Sequence, residues 1–374
     1  MSNPSQANVD PAAAGAEGQA GGPINEFDQP VEGVSLTKDA WRRLKKNIMA
    51  MAGLVIVILY GLVSLTAPIL PIYSFRQQVP EHRDLPPSLT KTAGELWLER
   101  ERDYMIRVAE SEGRTQLTEA DLDKLESIRE DIETQTKVID GEQVRVHQRR
   151  YVLGTDHLGR DMLARIIYGG QISIAIGLVG TITSVLIGII VGAIAGYIGG
   201  KTDYLIMRFV DVMYGLPYML LVIILMAIFG RSILNLFLAL SLVSWLVVAR
   251  VVRGQIISLK NSEFVEAARS MGASTWRIVF RHLIPNTIGI IIVFATLRIP
   301  AFIMQESFLS FLGLGISAPF ASWGSLVSDA VERLSSAPWQ LFFPALAMTV
   351  FLFAMNFLGD GLRDAFDPHS KNRL

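Results

Sequence analysis

The sequence has no cysteine, which excludes a disulfide framework and any thiolate metal site and leaves the redox compartment open. Histidine is scarce, at five residues, and none is paired by spacing within an apolar run. A membrane-embedded enzyme needs clustered histidines, acids or a nucleophile with its base, so that class loses support. The first 35 residues are rich in Ala, Gly, Pro, Gln and Asn and lack the apolar core of a signal peptide. They read as a disordered cytoplasmic tail over 1–35, with the first apolar run serving as an uncleaved signal anchor. The net charge of −1 is uninformative by itself because the charges are unevenly placed.

What is abundant is apolar sequence, at 51% of 374 residues. Runs of about 20 apolar residues recur, each long enough to cross a ~30 Å hydrocarbon layer as a helix. Six spans are expected, at 48–70, 172–198, 212–229, 234–252, 287–308 and 341–358. A basic interfacial helix at 36–47, capped at Thr37 with Trp41 and Leu44 at helical spacing, precedes the first. An insert at 71–151 separates the first span from a GTDxxGRD-containing segment at 152–171. A loop at 253–286, a second connection at 309–340 and a tail at 359–374 complete the organisation.

Lys and Arg fix the orientation. Arg42, Arg43, Lys45 and Lys46 precede span one, Lys201 and Arg208 lie between spans two and three, and Arg250, Arg253, Lys260, Arg269, Arg277 and Arg281 surround the 253–286 loop. Arg363, Lys371 and Arg373 follow span six, while the opposite side has only Arg231 and Arg333 in its short connections. The positive-inside rule places both termini and the loop in the cytoplasm and the insert outside, since long loops cross regardless of charge. The expected fold class is an all-α membrane protein with six transmembrane helices, in contact with lipid and not nucleic acid.

Span two carries Gly188, Gly192, Gly196 and Gly200 four apart, after Gly180 and Ser184. Such a stripe lets a second helix approach closely. In the insert, 95–112 and 119–133 are helix-favouring, with a capping box at Thr118 and Asp121 and a stripe of Leu122, Leu125, Ile128 and Ile132. They read as a solvated helical hairpin ahead of an external docking surface.

The loop sequence NSEFVEAARSMGASTWRIVFRHLIPN is the most informative in the chain. It reads as two short helices with a bend. Asn261 or Ser262 caps the first, Gly272 ends it in the left-handed region, Ser274 caps the second, and Pro285 breaks the chain before span five. A bent, partly apolar element at a membrane surface needs a partner. This stretch resembles the EAA loop of ATP-binding-cassette importer permeases, with matching positions at Glu266, Ala267, Ala268, Gly272, Ile278 and Pro285. Four more segments, LGTDHLGRDMLARIIY, LSFLGLG, SWG and NFLGDGLRDAFDP, resemble the second permease type of the dipeptide/oligopeptide/nickel importers, over most of the chain from about Leu36 but excluding the insert. That resemblance implies the type I permease fold and a heterodimer with a homologous permease. It also implies two cytoplasmic subunits that bind ATP and Mg, an extracytoplasmic substrate-binding protein, and peptide as cargo. No cofactor is expected in this chain. Nickel or another small solute is the alternative cargo, and an ion-driven secondary transporter the alternative class. That class favours broken spans with paired internal carboxylates, which spans two, four and six lack.

Four further clusters are weighed on the residues. AGYIGGKT resembles a phosphate loop but ends a membrane span, where no strand precedes it. Asp156, His157 and Asp161 read as a capped turn and not a metal site. Arg298 and Glu306 are candidates for the translocation path, because ionisable groups in spans are costly and often line a route; the alternative is a structural ion pair. Asp360 and Arg363 are expected to pair at the interface.

Overall fold

The computed structural model describes residues 36–139 and 141–366, so the expected tail at 1–35 and the chain beyond 366 lie outside the described residues. Helix α1 (Leu36–Leu44) begins before Thr37, which therefore lies inside its first turn and does not cap it. Its Ala40 and Leu44 are buried, while Trp41 is exposed under Lys45 Nζ. Asn47 then caps α2 (Ile48–Thr66), accepting from the Ala50 N–H at 3.1 Å.

The insert folds as α3 (Ala93–Ser111), α4 (Glu119–Thr134) and a hairpin of β1 (Lys137–Ile139) and β2 (Glu142–Val144) paired antiparallel. Thr92–Glu95 and Thr118–Asp121 both form reciprocal capping boxes. The short hairpin has too few residues to announce itself by alternation. The insert is fastened to the helices beyond it: Gln340 donates to Asp84 Oδ1 at 2.8 Å and to the Thr155 carbonyl at 2.9 Å.

Helix α5 (Met162–Ile198) is 37 residues long and starts ten residues before the expected span, because Asp161 caps it through the N–H groups of Leu163 and Ala164. Gly199 ends it at φ 69°, ψ −161°, a conformation that a side chain would forbid. The phosphate-loop-like sequence is thus a break between two helices. Helices α6 (Gly200–Gly215) and α7 (Tyr218–Phe229) meet at 84° where one straight third span was expected. Pro217 is the cause, since the ring drives Leu216 into the extended region at φ −85°, ψ 140°. Helix α8 (Ile233–Leu259) is capped by Ser232, and Asn235 Nδ2 closes the end of α7 by donating to the carbonyls of Phe229 and Gly230.

The loop forms α9 (Glu263–Ser270) and α10 (Thr275–Ile278), then a π-turn at Val279–Leu283 leads without interruption into α11 (Ile284–Phe311). Pro285 was expected to break the chain here. It sits in the first turn of α11, where a missing N–H is tolerated. The wide π-turn, closed by Ile284 N–H to the Val279 carbonyl, keeps Thr275–Phe311 one rod. Helix α12 (Trp323–Ala330) and α13 (Trp339–Phe366) follow. Among the described residues, five helices are long and apolar enough to cross a membrane, and the α6–α7 pair makes a sixth if counted as one bent span.

Helices α5 and α8 form the tightest pair. A Cβ on Gly188 would lie 2.5 Å from Val248 Cβ, on Gly192 2.5 Å from the Ala249 carbonyl oxygen, and on Gly196 2.9 Å from the Arg253 carbonyl oxygen. Gly200 departs from the expected ladder: nothing lies within 4 Å of its would-be Cβ, because the α5–α6 break turns it away. Unexpected close approaches join α2 to α13, where Gly53 abuts the Ala354 carbonyl and Gly361 abuts Ala50. Trp323 is buried against Tyr60 and Phe351, donating Nε1–H to the Ile166 carbonyl at 3.0 Å.

These contacts define two ends. Ala40 and Leu44 cluster with Ala365, and Phe366 meets Gly289, so α1, the end of α13 and the α9–α10 loop share one end. The insert, the turn at 152–161 and α12 occupy the other.

Candidate functional site: the α9–α10 loop and the polar positions of the spans

The loop is built in two layers. Val265, Ala268, Ile278, Val279 and Leu283 are buried in one cluster with Ala193 of α5, Val248, Val252 and Ile256 of α8, and Ile291 of α11. Burying each large aliphatic side chain stabilises by about 1.5–3 kcal/mol, enough to hold a short helical element rigidly on the bundle. Ala268 and Ile278 therefore face inward and anchor the loop, whereas Glu266, Ala267, Gly272 and Pro285 are exposed. Gly272 has φ 79° and closes α9, with Ala273 N–H reaching back to the Ala268 carbonyl and Gly272 N–H to that of Arg269, both at 3.0 Å. Ser262 occupies the cap position of α9, but its hydroxyl donates to the Leu259 carbonyl at 2.6 Å and leaves the cap unfilled. Ser274 accepts from the Arg277 N–H at 3.4 Å as expected.

The outer layer carries what the sequence reading missed. Met271 is 81% exposed, and Trp276 and Phe280 stack on each other at 5.1 Å with most or half of their surface open. Glu263, Glu266, Arg269, Arg277 and Arg281 are exposed and form no ion pair among the described residues. The signal for Met271 was available: it is the apolar residue immediately before the left-handed glycine, where a helix end projects its side chain outward. Behind the loop, Arg253 grips Asp203 through two bonds of 2.5 Å and Arg250 meets Asp211 at 2.6 Å, tying α6 to α8.

Within the spans, Glu306 is fully buried. Oε1 accepts from Ser310 Oγ at 2.7 Å and Ser322 Oγ at 2.6 Å, and Oε2 has no partner. It is enclosed by its own chain, and no cation pairs with it among the described residues, so neither a path-lining acid nor an ion pair describes it. Its job is to seat the cap of α12 against α11. Arg298 is half-buried. It donates to the Ser244 carbonyl, lies over Phe302 at 6.0 Å, and joins a group in which Tyr218 Oη bonds Ser244 Oγ at 3.0 Å and Gln305 Oε1 at 2.8 Å. No carboxylate pairs with Arg298 among the described residues. Among the described residues, Asp360 and Arg363 likewise form no ion pair.

At the other end, Asp156 accepts from Arg160 Nε at 2.6 Å and from Arg165 Nη1. Burial alone would raise its carboxyl, but the two guanidiniums hold it below the usual range. Asp161, which caps α5, is pushed up by burial to about 6 despite its two backbone bonds. This is the capped turn expected from Asp156, Arg160 and Asp161, and no cluster of metal-ligating side chains occurs among the described residues.

A rigid loop with an uncovered apolar tip on a bundle of apolar spans defines a membrane component of a larger machine. The chain belongs to the family of binding-protein-dependent transport system inner membrane components, whose model matches residues 188–372, while the N-terminal transmembrane domain of oligopeptide transport permease C matches 35–87. It is 40% identical over 336 residues to the dipeptide transport system permease protein DppC of Bacillus subtilis, covering 90% of this chain and 86% of that protein. It is 35% identical over 335 residues to the oligopeptide permease OppC of the same organism, covering 90% of each. To OppC of Haemophilus influenzae it is 49% identical over 221 residues, 59% of this chain and 71% of that one. Neither family model matches residues 88–187, a stretch that holds most of the insert. The chain is a multi-pass inner-membrane permease component of an ATP-binding-cassette transporter.

Proposed function

We propose that this chain is the peptide-translocating permease subunit of an ATP-driven importer, paired in a heterodimer with a homologous permease. Two separate subunits bind ATP and Mg, and an extracytoplasmic binding protein delivers cargo. The dipeptide and oligopeptide permeases to which it is similar support peptide as that cargo. The observation that carries the reading is the two-layer loop: Ala268 and Ile278 fix it to α5, α8 and α11, while Met271, exposed at 81%, has nothing of its own chain to cover it. Met271 fills an apolar hole in the ATPase groove, Glu266 and the arginines meet charges at its rim, and Pro285 and the π-turn pass the displacement into α11. Orientation rests on the basic residues near α1, the α5–α6 break and the loop, which put this end in the cytoplasm. Arg298, with its polar neighbours at the α6–α7 bend, faces the route between the two permeases.

The test uses Met271→Arg and Glu266→Arg in the complete importer. Peptide uptake and ATPase co-purification should fall at least about tenfold, since a charge forced into an apolar contact costs more than about 1.4 kcal/mol, while membrane insertion stays intact. Because the chain has no cysteine, Met271→Cys gives a single label. Its reaction with an impermeant maleimide only from the external face would refute the orientation.

A further inference from the structure

Between the 152–161 turn, the chain after α11 and α12 lies an open cavity of about 380 Å³ that the coupling reading leaves unused. Its walls include His157, Arg160, Arg165, Ser317, Ser325 and Asp329. Arg160 and Arg165 are 2% and 3% exposed. Both direct a bond to the same oxygen, Oδ2 of Asp156, whose Oδ1 is already taken by the N–H groups of Leu158 and Arg160. Arg160 Nη1 and Arg165 Nε remain buried without any partner. Two guanidiniums thus share one carboxylate, which leaves an excess positive charge and free donors beside an accessible cavity. A buried charged donor left unpaired is costly, so a ligand that enters the cavity and draws these guanidiniums toward it gains correspondingly. Asp329 stands at the rim, exposed, with no ion pair among the described residues. Its carboxylate acts on Arg165 and Arg160 without bonding to either, so it offsets part of their charge and competes with an incoming carboxylate.

We infer that this cavity is a binding site for a free carboxylate presented from the insert side of the membrane. A carboxylate has the planar pair of acceptors that guanidinium donors match. Two sources offer that group: the C-terminus of a peptide and an acidic side chain of the binding protein. The inference rests on the orientation and cargo proposed above.

The test exploits the absence of cysteine. Ser317 is exposed at the cavity mouth, so Ser317→Cys places a single thiol there without touching Arg160, Asp156 or Arg165. In the complete importer lacking its binding protein, trialanine at ten times its Kd should slow thiol labelling about tenfold, and trialaninamide should not. Asp329→Asn should lower the trialanine concentration needed, because the competing rim carboxylate is gone. If trialanine fails but the unliganded binding protein protects, and free acetate relieves that protection, the carboxylate belongs to the binding protein's side chain. The inference is overturned if neither protects, if trialaninamide protects equally, if trialanine fails and acetate has no effect on the binding protein's protection, or if Asp329→Asn weakens trialanine protection. Uptake of trialanine by the same complex with its binding protein reports separately on the functional reading. Import without protection sinks the site alone, and protection without import sinks the importer assignment alone.

Discussion

Acidification should loosen the insert before it affects the spans, and His82 sets the size of the effect. His82 is fully buried, with Nε2 2.8 Å from His147 Nδ1 and Nδ1 3.2 Å from Tyr151 Oη. His147 Nε2 lies 2.7 Å from Gln135 Oε1, and Trp97 stacks on its ring. One proton arrangement satisfies the row: Tyr151 donates to His82, His82 to His147, and His147 to Gln135, with both rings neutral. Burial, then the neighbouring His147, Lys137, Arg149 and Arg100, push His82 down to about 3, and burial lowers His147 as well. The unfolded chain takes up a proton near pH 6.5 and the folded insert does not. Stability is therefore whole above about 6.5 and is lost as pH falls below it, at about 1.4 kcal/mol per pH unit for each such histidine. By pH 5 His82 alone removes about 2 kcal/mol, a roughly thirtyfold rise in local opening. Asp161, held at about 6, acts in the opposite sense but at the start of α5, so a local probe separates the two. Hydrogen exchange of α3 and the β1–β2 hairpin, corrected for intrinsic rates, should show the rise between pH 7.5 and 5, and His82→Gln should reduce it to the part that His147 contributes. Protection that stays constant over that range, or a slope undiminished in His82→Gln, would refute the reasoning.

Three further outcomes follow from the packing. Gly192→Ala pushes a methyl to 2.5 Å from the Ala249 carbonyl oxygen and should cost about 1–3 kcal/mol, read as a lower thermal midpoint in detergent, whereas Gly61→Ala, with open space around it, should be neutral. Glu306→Gln keeps an oxygen for Ser310 and Ser322 and should preserve the folded yield, while Glu306→Ala strands both hydroxyls and should lower it. Asp161→Ala removes the cap of α5 and should destabilise by about 0.5–2 kcal/mol, seen as faster exchange of the Leu163 and Ala164 amides at neutral pH.

The features legible in the sequence were those with local causes. The existence of the apolar spans, the Thr118–Asp121 capping box of the insert, the capped turn around Asp161 and the left-handed Gly272 follow from residue type and spacing alone. What stayed hidden depends on what another segment does. The glycine spacing of α5 is indifferent to where the helix stops, so Gly200 looked like a fourth rung, although the turn at Gly199 removes it from the seam. Gly53, Gly359 and Gly361 stand at no regular interval, yet each meets a neighbouring helix. Pro217 marks a bend only once its partners accept one, and Pro285 fails to break a helix because a π-turn absorbs it. Glu306 looked exposed to a route because nothing in α11 reveals that Ser322, sixteen residues later, folds back to bond it.

For the proposed coupling, the placement of rigidity sets what the surface loop can move. Glycines 188, 192 and 196 let α5 and α8 touch backbone to backbone, so the pair behaves as one body, and Arg253 and Asp203 extend that body to α6. The loop is fastened to the same body through Ala268 and Ile278. A force on Met271 thus cannot be dissipated by the loop sliding over the bundle. It must either tilt α5 and α8 together or flex the one continuous path out of the loop, the π-turn into α11. That path ends at Glu306 and Ser310, which seat α12 beside the carboxylate cavity. Motion at one end therefore has a continuous covalent and hydrogen-bonded route to the other. Replacing Ser322 by Ala, which cuts the bond from α12 to Glu306, should leave ATPase association unchanged while weakening the coupling of ATP hydrolysis to uptake. Equal loss of both would mean that Ser322 serves folding alone.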